Sequence, residues 1–185
     1  MLPPTDDIKE KIKQLFVAVK HANINETETL VKDLGWRCFK EDYAVKDEEP
    51  LLHLAINSKS PQIVDLILSL HINRHPTNSL GQCPITALVH TQKFEFFAKY
   101  LFLCRSACID KTKKTALSYA IELNENEMAQ VLYKTIPVRL SDLAYARKSK
   151  SQLMENLMVK ADNFSPLIID LIIEDNSGNL INQIN

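Results

Sequence analysis

Two pairs of side chains in this sequence have the spacing of metal ligands. His71 and His75 lie four positions apart, and so do Cys104 and Cys108. Zinc is held by four ligands that converge on one point, commonly Cys thiolates and His nitrogens. The two pairs belong to different segments of the chain, and Pro76 opposes a continuous helix through His75. We therefore expect no metal site and no cofactor, with the histidines solvated in a loop and the cysteines partly buried.

A cysteine nucleophile is the second chemistry to consider. Cys83 or Cys104 would have to lie against His90, with a carboxylate to orient the imidazole, and their spacing does not enforce this. We therefore expect no catalytic residue. All four cysteines, with Cys38 and Cys108 completing the set, are scattered through a chain large enough to fold without disulfides, so we expect reduced thiols.

Composition narrows the possible classes of partner. Apolar residues make up 45% of the chain, charged residues make up 24%, and the formal net charge is −1. Such a charge gives no general attraction to nucleic acid or to anionic lipid, so we expect neither as a partner. The acidic start does not resemble a secretory signal, and no apolar run reaches the roughly 18–20 residues of a membrane span. These features predict a cytoplasmic protein.

Three segments of the sequence share one apolar pattern. A small or apolar residue inside a first apolar cluster is followed, nine positions later, by a second cluster. The matching positions are Ala55 with Val64, Leu88 with Phe97, and Ala120 with Ala129. Successive copies are thus 33 and 32 residues apart, which indicates repeating units of two helices each.

The period and the motif resemble the ankyrin repeat, in which Thr-Pro-Leu-His-x-Ala opens the first of two helices. Leu-His-Leu-Ala occupies positions 52–55, where the resemblance gives His53 the role of tying neighbouring repeat turns together. Gly81 and Pro84 keep the family's spacing in the next copy, and Thr115 keeps it in the copy after that. Asp110 falls where the family has the Asp of its β-turn.

The sequence departs from the family where the first helix of each unit ends. A glycine is usual there, but Lys59, Gln92 and Asn124 occupy the position. Of these, only Asn124 tolerates the left-handed conformation well. Leu88 also replaces the small residue found at Ala55, which predicts wider packing of the helices around it.

Weaker copies flank these three units. Gly35 is the expected end of a helix in the first unit, and the short interval from Ala120 to Ala144 predicts a shortened loop before the last one. Ser165 and Pro166 have the residue types of a helix start. The chain is thus predicted to be all-α, an ankyrin-type α-solenoid of about four to five helix–turn–helix repeats with a C-terminal capping helix. The expected divisions of this single domain, 1–185, are repeats at 8–44, 45–77, 78–109, 110–138 and 139–161 and a capping tail at 162–185.

The resemblance implies that the chain binds another protein through loop tips and the exposed side of each first helix. We expect the chain to be a monomer when alone. Carried over to this sequence, the family's contact positions are Lys46, Asp47, Glu49, Asn57, Ser58, Ser79, Leu80, Gln82, His90, Thr91, Lys111, Thr112, Lys114, Glu122 and Leu123.

Alternatives stay open at this point. In the first alternative, the array is an adaptor or regulatory subunit of an enzyme complex. In the second, the chain is a small enzyme built on a solenoid scaffold. Divergent arrays of this size resemble bacterial effectors and viral inhibitors that act in a host cytosol.

The acidic segment 41–49 and the basic segment 111–114 are compatible either with simple solvation or with a partner of mixed charge. Trp36 and Phe39 are expected to pack under the array, although aromatic residues also anchor interfaces.

Overall fold

A computed structural model describes residues 6–38, 49–70, 72–104 and 108–148. Every regular element in these ranges is a helix. The elements are α1 (Asp6–Lys20), α2 (Ile24–Cys38), α3 (Leu51–Asn57), α4 (Pro61–Ser69), α5 (Pro84–His90), α6 (Phe94–Lys99), a 3-10 turn (Leu101–Leu103), α7 (Ala116–Glu122), α8 (Asn126–Thr135) and α9 (Leu140–Lys148).

The helices form two layers. Each odd-numbered helix packs against the next odd-numbered helix. The first helices of the units, α1, α3, α5, α7 and α9, thus form one layer. The second helices α2, α4, α6 and α8 pack behind the first helix of their own unit or beside a neighbouring second helix. This arrangement confirms the predicted all-α stack of helix pairs for the described part of the chain.

Local sequence sets where the helices begin. Ser60 caps α4 by accepting a hydrogen bond from the backbone N–H of Ile63, and Pro61 follows at the first helical position. Thr115 starts α7 with a capping box, in which its side chain and that of Ser118 each accept a hydrogen bond from the other residue's backbone N–H. Side-chain caps therefore define the first residues of α4 and α7.

The turns between paired helices use the left-handed conformation without glycine. Ala22, Lys59, Gln92 and Asn124 have φ values of 54°, 56°, 56° and 58°. A side chain in this region costs about 1–2 kcal/mol, which packing of the two helices must offset. Only Asn124 was expected to tolerate the left-handed conformation well, but Lys59 and Gln92 adopt it too. Gly35, with φ of 57°, interrupts α2 where a helix end was predicted.

One continuous core runs through the stack. The first-helix layer and the second helices bury their apolar residues against each other from α1 to α9, which couples each unit to its neighbour. The fully buried side chains of largest volume are Tyr100, Phe97, Ile12, Leu15, Leu52, Ile56, Ile63, Ile67, Ile85, Leu88, Leu117 and Ile121.

The connection between α8 and α9 spans only residues 136–139, in agreement with the shortened loop expected there. The described residues do not include the expected second helix of the last unit, nor Ser165 and Pro166. The side chains of Trp36 and Phe39 are not described either. In the part of the chain that is described, no helix has the length and apolar character needed to cross a bilayer.

Candidate functional site

Two tight loops precede α5 and α7, and we call residues 78–82 and 110–114 the third-unit and fourth-unit fingers. The Oδ1 atom of Asn78 accepts hydrogen bonds from the backbone N–H groups of Leu80 (3.0 Å) and Gln82 (2.9 Å). Asp110 Oδ1 likewise accepts from the N–H groups of Thr112 (2.8 Å) and Lys114 (3.0 Å). Both fingers are therefore held by the same side-chain-to-backbone turn.

The two fingers lie against each other. The backbone N–H of Lys111 donates to the carbonyl oxygen of Leu80 at 2.9 Å. Gly81 has φ of 80°, and a Cβ atom there would lie 3.4 Å from the Lys111 nitrogen. The positive φ makes glycine the suitable residue at this junction.

Tyr119 of α7 joins both fingers to the first-helix layer. Its hydroxyl donates to Asp110 Oδ2 at 2.5 Å and accepts from Gln82 Nε2 at 3.0 Å. Burial raises the pKa of Asp110, but hydrogen bonds from Tyr119 and Thr112 outweigh burial and hold this pKa below its ordinary value. The carboxylate is therefore charged at neutral pH and fixes the tyrosine.

An aromatic and charged cluster surrounds Tyr119. The His90 ring meets the Tyr119 ring edge-on, with 4.7 Å between centroids. The Lys114 Nζ atom lies 5.1 Å from the centroid of Tyr119 and 5.2 Å from that of Tyr145 on α9. The same Nζ atom contacts both carboxylate oxygens of Glu122, at 2.7 and 2.8 Å. Side chains of three successive units thus meet at one place.

Comparison with protein families gives a match to ankyrin repeats, in three copies, over residues 52–142. This part of the chain therefore consists of ankyrin repeats. The match begins within α3 and ends within α9, and a comparison with curated proteins finds no match. Ankyrin repeats are in general protein-binding modules and typically are not catalytic.

In this ankyrin array, His53 makes the bond between repeats that the resemblance implied. Its Nε2 atom lies 3.0 Å from the carbonyl oxygen of Gln82, which only accepts, so Nε2 carries the hydrogen. The side chain is fully buried, and its Nδ1 atom has no hydrogen-bond partner among the described residues. Burial lowers the pKa of His53, although the bond to Gln82 opposes this. The imidazole is therefore neutral at neutral pH in the folded chain.

The stability of the array should depend on the protonation of His53. Because its pKa in the folded state lies below the ordinary value of 6.5, its contribution is complete above that value and is lost as pH falls toward the folded-state pKa. We expect the free energy of unfolding of the wild type to fall on acidification more steeply than that of His53→Gln. Urea titrations on both sides of the ordinary pKa test this, with the exposed His21→Gln variant as the control. Equal slopes for wild type and His53→Gln would contradict the assignment.

Asp142 of α9 makes a second bond between ankyrin units. Its Oδ1 atom accepts hydrogen bonds from the hydroxyls of Thr115 (2.5 Å) and Ser118 (2.6 Å) at the start of α7. Its Oδ2 atom accepts from the backbone N–H of Arg139 at 2.9 Å. Burial raises the pKa of this carboxyl, because the hydroxyls only partly replace water. We did not single out Asp142 from the sequence, although it stands at the motif's histidine position in the last unit.

The ankyrin contact positions differ in exposure. Thr91 is only 4% exposed, and its hydroxyl donates to the carbonyl of Leu88. Leu123 is half-buried and packs partly against the core. Ser58 is also half-buried, and its hydroxyl donates to the carbonyl of Ala55. These three side chains contact their own helices or the core at the ends of α3, α5 and α7.

The remaining contact positions lie at two places. Asn57 and Glu49 of the second unit contact each other at 3.3 Å, apart from the Tyr119 cluster. The cluster and its fingers hold the rest: Ser79, Leu80, Gln82, His90, Lys111, Thr112, Lys114 and Glu122. Lys46 and Asp47 lie outside the described residues. Asn78 and Tyr119 were not singled out, although Asn78 precedes Asp110 by one repeat period.

The candidates for metal or nucleophilic chemistry are dispersed. Among the described residues, no group of three or more His, Cys, Asp or Glu side chains comes together as a metal site. His71 lies outside those residues. Burial raises the pKa of Cys104 to about 11, so its thiol is protonated at neutral pH and is a poor nucleophile.

Proposed function

We propose that this ankyrin array binds another protein through the two fingers and through the exposed residues at the ends of α5 and α7, which are His90 and Glu122. The observation that carries the proposal is the joining of both fingers to α7 through Tyr119. We call the resulting surface the finger surface, and its members are Leu80, Gln82, His90, Lys111, Lys114 and Glu122.

The finger surface is organised before any partner arrives. Asn78, Asp110 and Tyr119 hold the fingers by hydrogen bonds, and Lys114 is fixed by Glu122 and two rings. A rigid surface loses little conformational entropy on binding, so more of the contact energy appears as affinity. Single exposed leucines are common on protein surfaces. The place of Leu80 beside a charged and aromatic cluster is what favours an interface.

The resemblance of divergent arrays of this size to bacterial effectors and viral inhibitors has no family match behind it, and it does not support the function proposed here. The family match supports protein binding in general, and the geometry supports the location of the surface.

Replacing Leu80 with Ser and His90 with Ala in one variant should weaken binding. We expect the helical spectrum and melting temperature to change little, because both side chains are exposed. Affinity should fall by about 1–3 kcal/mol if these side chains include interface hot spots. A tagged chain captures a stoichiometric partner from lysate, mass spectrometry identifies it, and calorimetry with the purified partner gives the affinity.

The matched control changes the exposed Gln62 on α4 and Glu127 on α8 to Ala. Asp65 is unsuitable as a control because its carboxylate contacts Lys99 Nζ at 2.7 Å and the Tyr100 hydroxyl at 2.8 Å. If the control variant lost the partner while the Leu80 and His90 variant bound it normally, the interface would lie on the second helices and the proposal would be wrong.

A further inference from the structure

We propose that the segment bound by the fingers is acidic and apolar, with a large aliphatic or aromatic side chain next to Asp or Glu. This inference rests on the proposed function and adds the chemistry of the partner. It is carried by the adjacency of Leu80, an exposed leucine, and Lys111, a lysine that makes no ion pair in the part of the chain that the structure describes.

The apolar part of this surface consists of Leu80 and Ile109. Their side chains are 50% and 41% exposed, and neither belongs to the core. Leu80 is fixed on both sides of its backbone, since its N–H donates to Asn78 and its carbonyl accepts from Lys111. Ile109 lies two positions before Lys111 in the same segment. A leucine held rigidly in water gains from an apolar side chain that covers it.

The charged part of the surface is basic. The fourth-unit finger carries three lysines against one aspartate. Lys114 is already engaged by Glu122, and the Asp110 carboxylate is engaged by Tyr119, Thr112 and backbone N–H groups. Lys111 is exposed and makes no ion pair within the described residues. A carboxylate of the partner is the complementary group for this ammonium.

The two parts together select the partner's chemistry. A basic segment would meet the repulsion of Lys111, and a wholly polar one would leave Leu80 in water. A segment that carries a carboxylate beside an apolar side chain satisfies both, because the backbones of Leu80 and Lys111 are joined at 2.9 Å. The charge guides the encounter, and the apolar contact retains the bound segment.

Selection from a phage-displayed library of random short peptides tests the inference on the full, folded chain. We expect enriched peptides to carry Asp or Glu next to Leu, Ile, Phe or Met. Fluorescence anisotropy with one enriched peptide should show that Lys111→Glu and Leu80→Ser each weaken binding by roughly fivefold to tenfold. A peptide with Lys in place of its acidic residue should bind Lys111→Glu more tightly than it binds the wild type.

Matched controls are Lys134→Glu on α8 and Val17→Ser on α1, both exposed and distant in sequence from the fingers. Enrichment of basic or uncharged peptides would overturn the inference, as would acidic peptides insensitive to Lys111→Glu and Leu80→Ser. Peptides whose binding is lost only in His90→Ala would overturn it and leave the proposed function standing. No enrichment would overturn the inference alone, because the proposed function is tested separately by capture of a folded partner. Tighter binding of a random single-stranded oligonucleotide than of any peptide would assign Lys111 to phosphate instead and also overturn the inference.

Discussion

Phe97→Ala should lower the free energy of unfolding by about 3–5 kcal/mol, because the aromatic ring is fully buried and the cavity left behind cannot fully collapse. Phe97 lies on α6 in the middle of the stack. Phe102→Ala is the matched control, since Phe102 lies five positions away with 57% of its surface exposed. We expect the control to stay within about 0.5 kcal/mol of the wild type. Urea unfolding followed by circular dichroism measures both.

The position of Phe97 should also change how the array unfolds. Each unit of a repeat array is stabilised by its own packing and by the interfaces with its neighbours, so a lesion in a central unit weakens the coupling between the two ends. Native-state hydrogen exchange should then show α1 to α4 opening separately from α7 to α9. Equal destabilisation by Phe97→Ala and Phe102→Ala would show that the core does not run through α6 as described.

Asp142→Ala should release α9 from α7. The substitution removes the acceptor of the Thr115 and Ser118 hydroxyls, both of which are buried. Leaving buried donors without partners costs about 1–3 kcal/mol, and the loss should exceed the gain from removing a buried carboxylate. We expect faster amide exchange throughout α9 and little change in α3 and α4.

Glu127→Ala is the control for this prediction, because it removes an exposed carboxylate from the neighbouring helix α8. It should leave exchange in α9 at the wild-type rate. Unchanged exchange in α9 of Asp142→Ala would show that apolar packing alone holds this helix, and the role given to the carboxylate would be wrong.

The repeat period is the feature of the sequence that predicted most of the fold. Recurrence of one apolar pattern at Ala55, Leu88 and Ala120 placed the helix pairs, because each pair must bury its apolar side against a neighbour. The resemblance to the family placed a turn at Asp110. The left-handed residues Lys59 and Gln92 show the limit, since tight packing of paired helices overrides a local preference for glycine.

The candidate surface could be predicted only in part. The resemblance to the family selected His90, Lys114 and Glu122 as contact positions, and the structure brings them together around Tyr119. Long-range hydrogen bonds have no signature within one repeat, so the central place of Tyr119 was missed. Leu123 was expected at the contact surface, but its side chain is half-buried and packs partly against the core.

The central claim is that a partner protein covers the finger surface. Hydrogen–deuterium exchange of the array, alone and saturated with its captured partner, tests this claim most directly. We predict that protection appears in the backbone of both fingers, 78–82 and 110–114, and along α5 and α7. Protection confined to the second helices α4, α6 and α8, with both fingers exchanging as in the free chain, would contradict it.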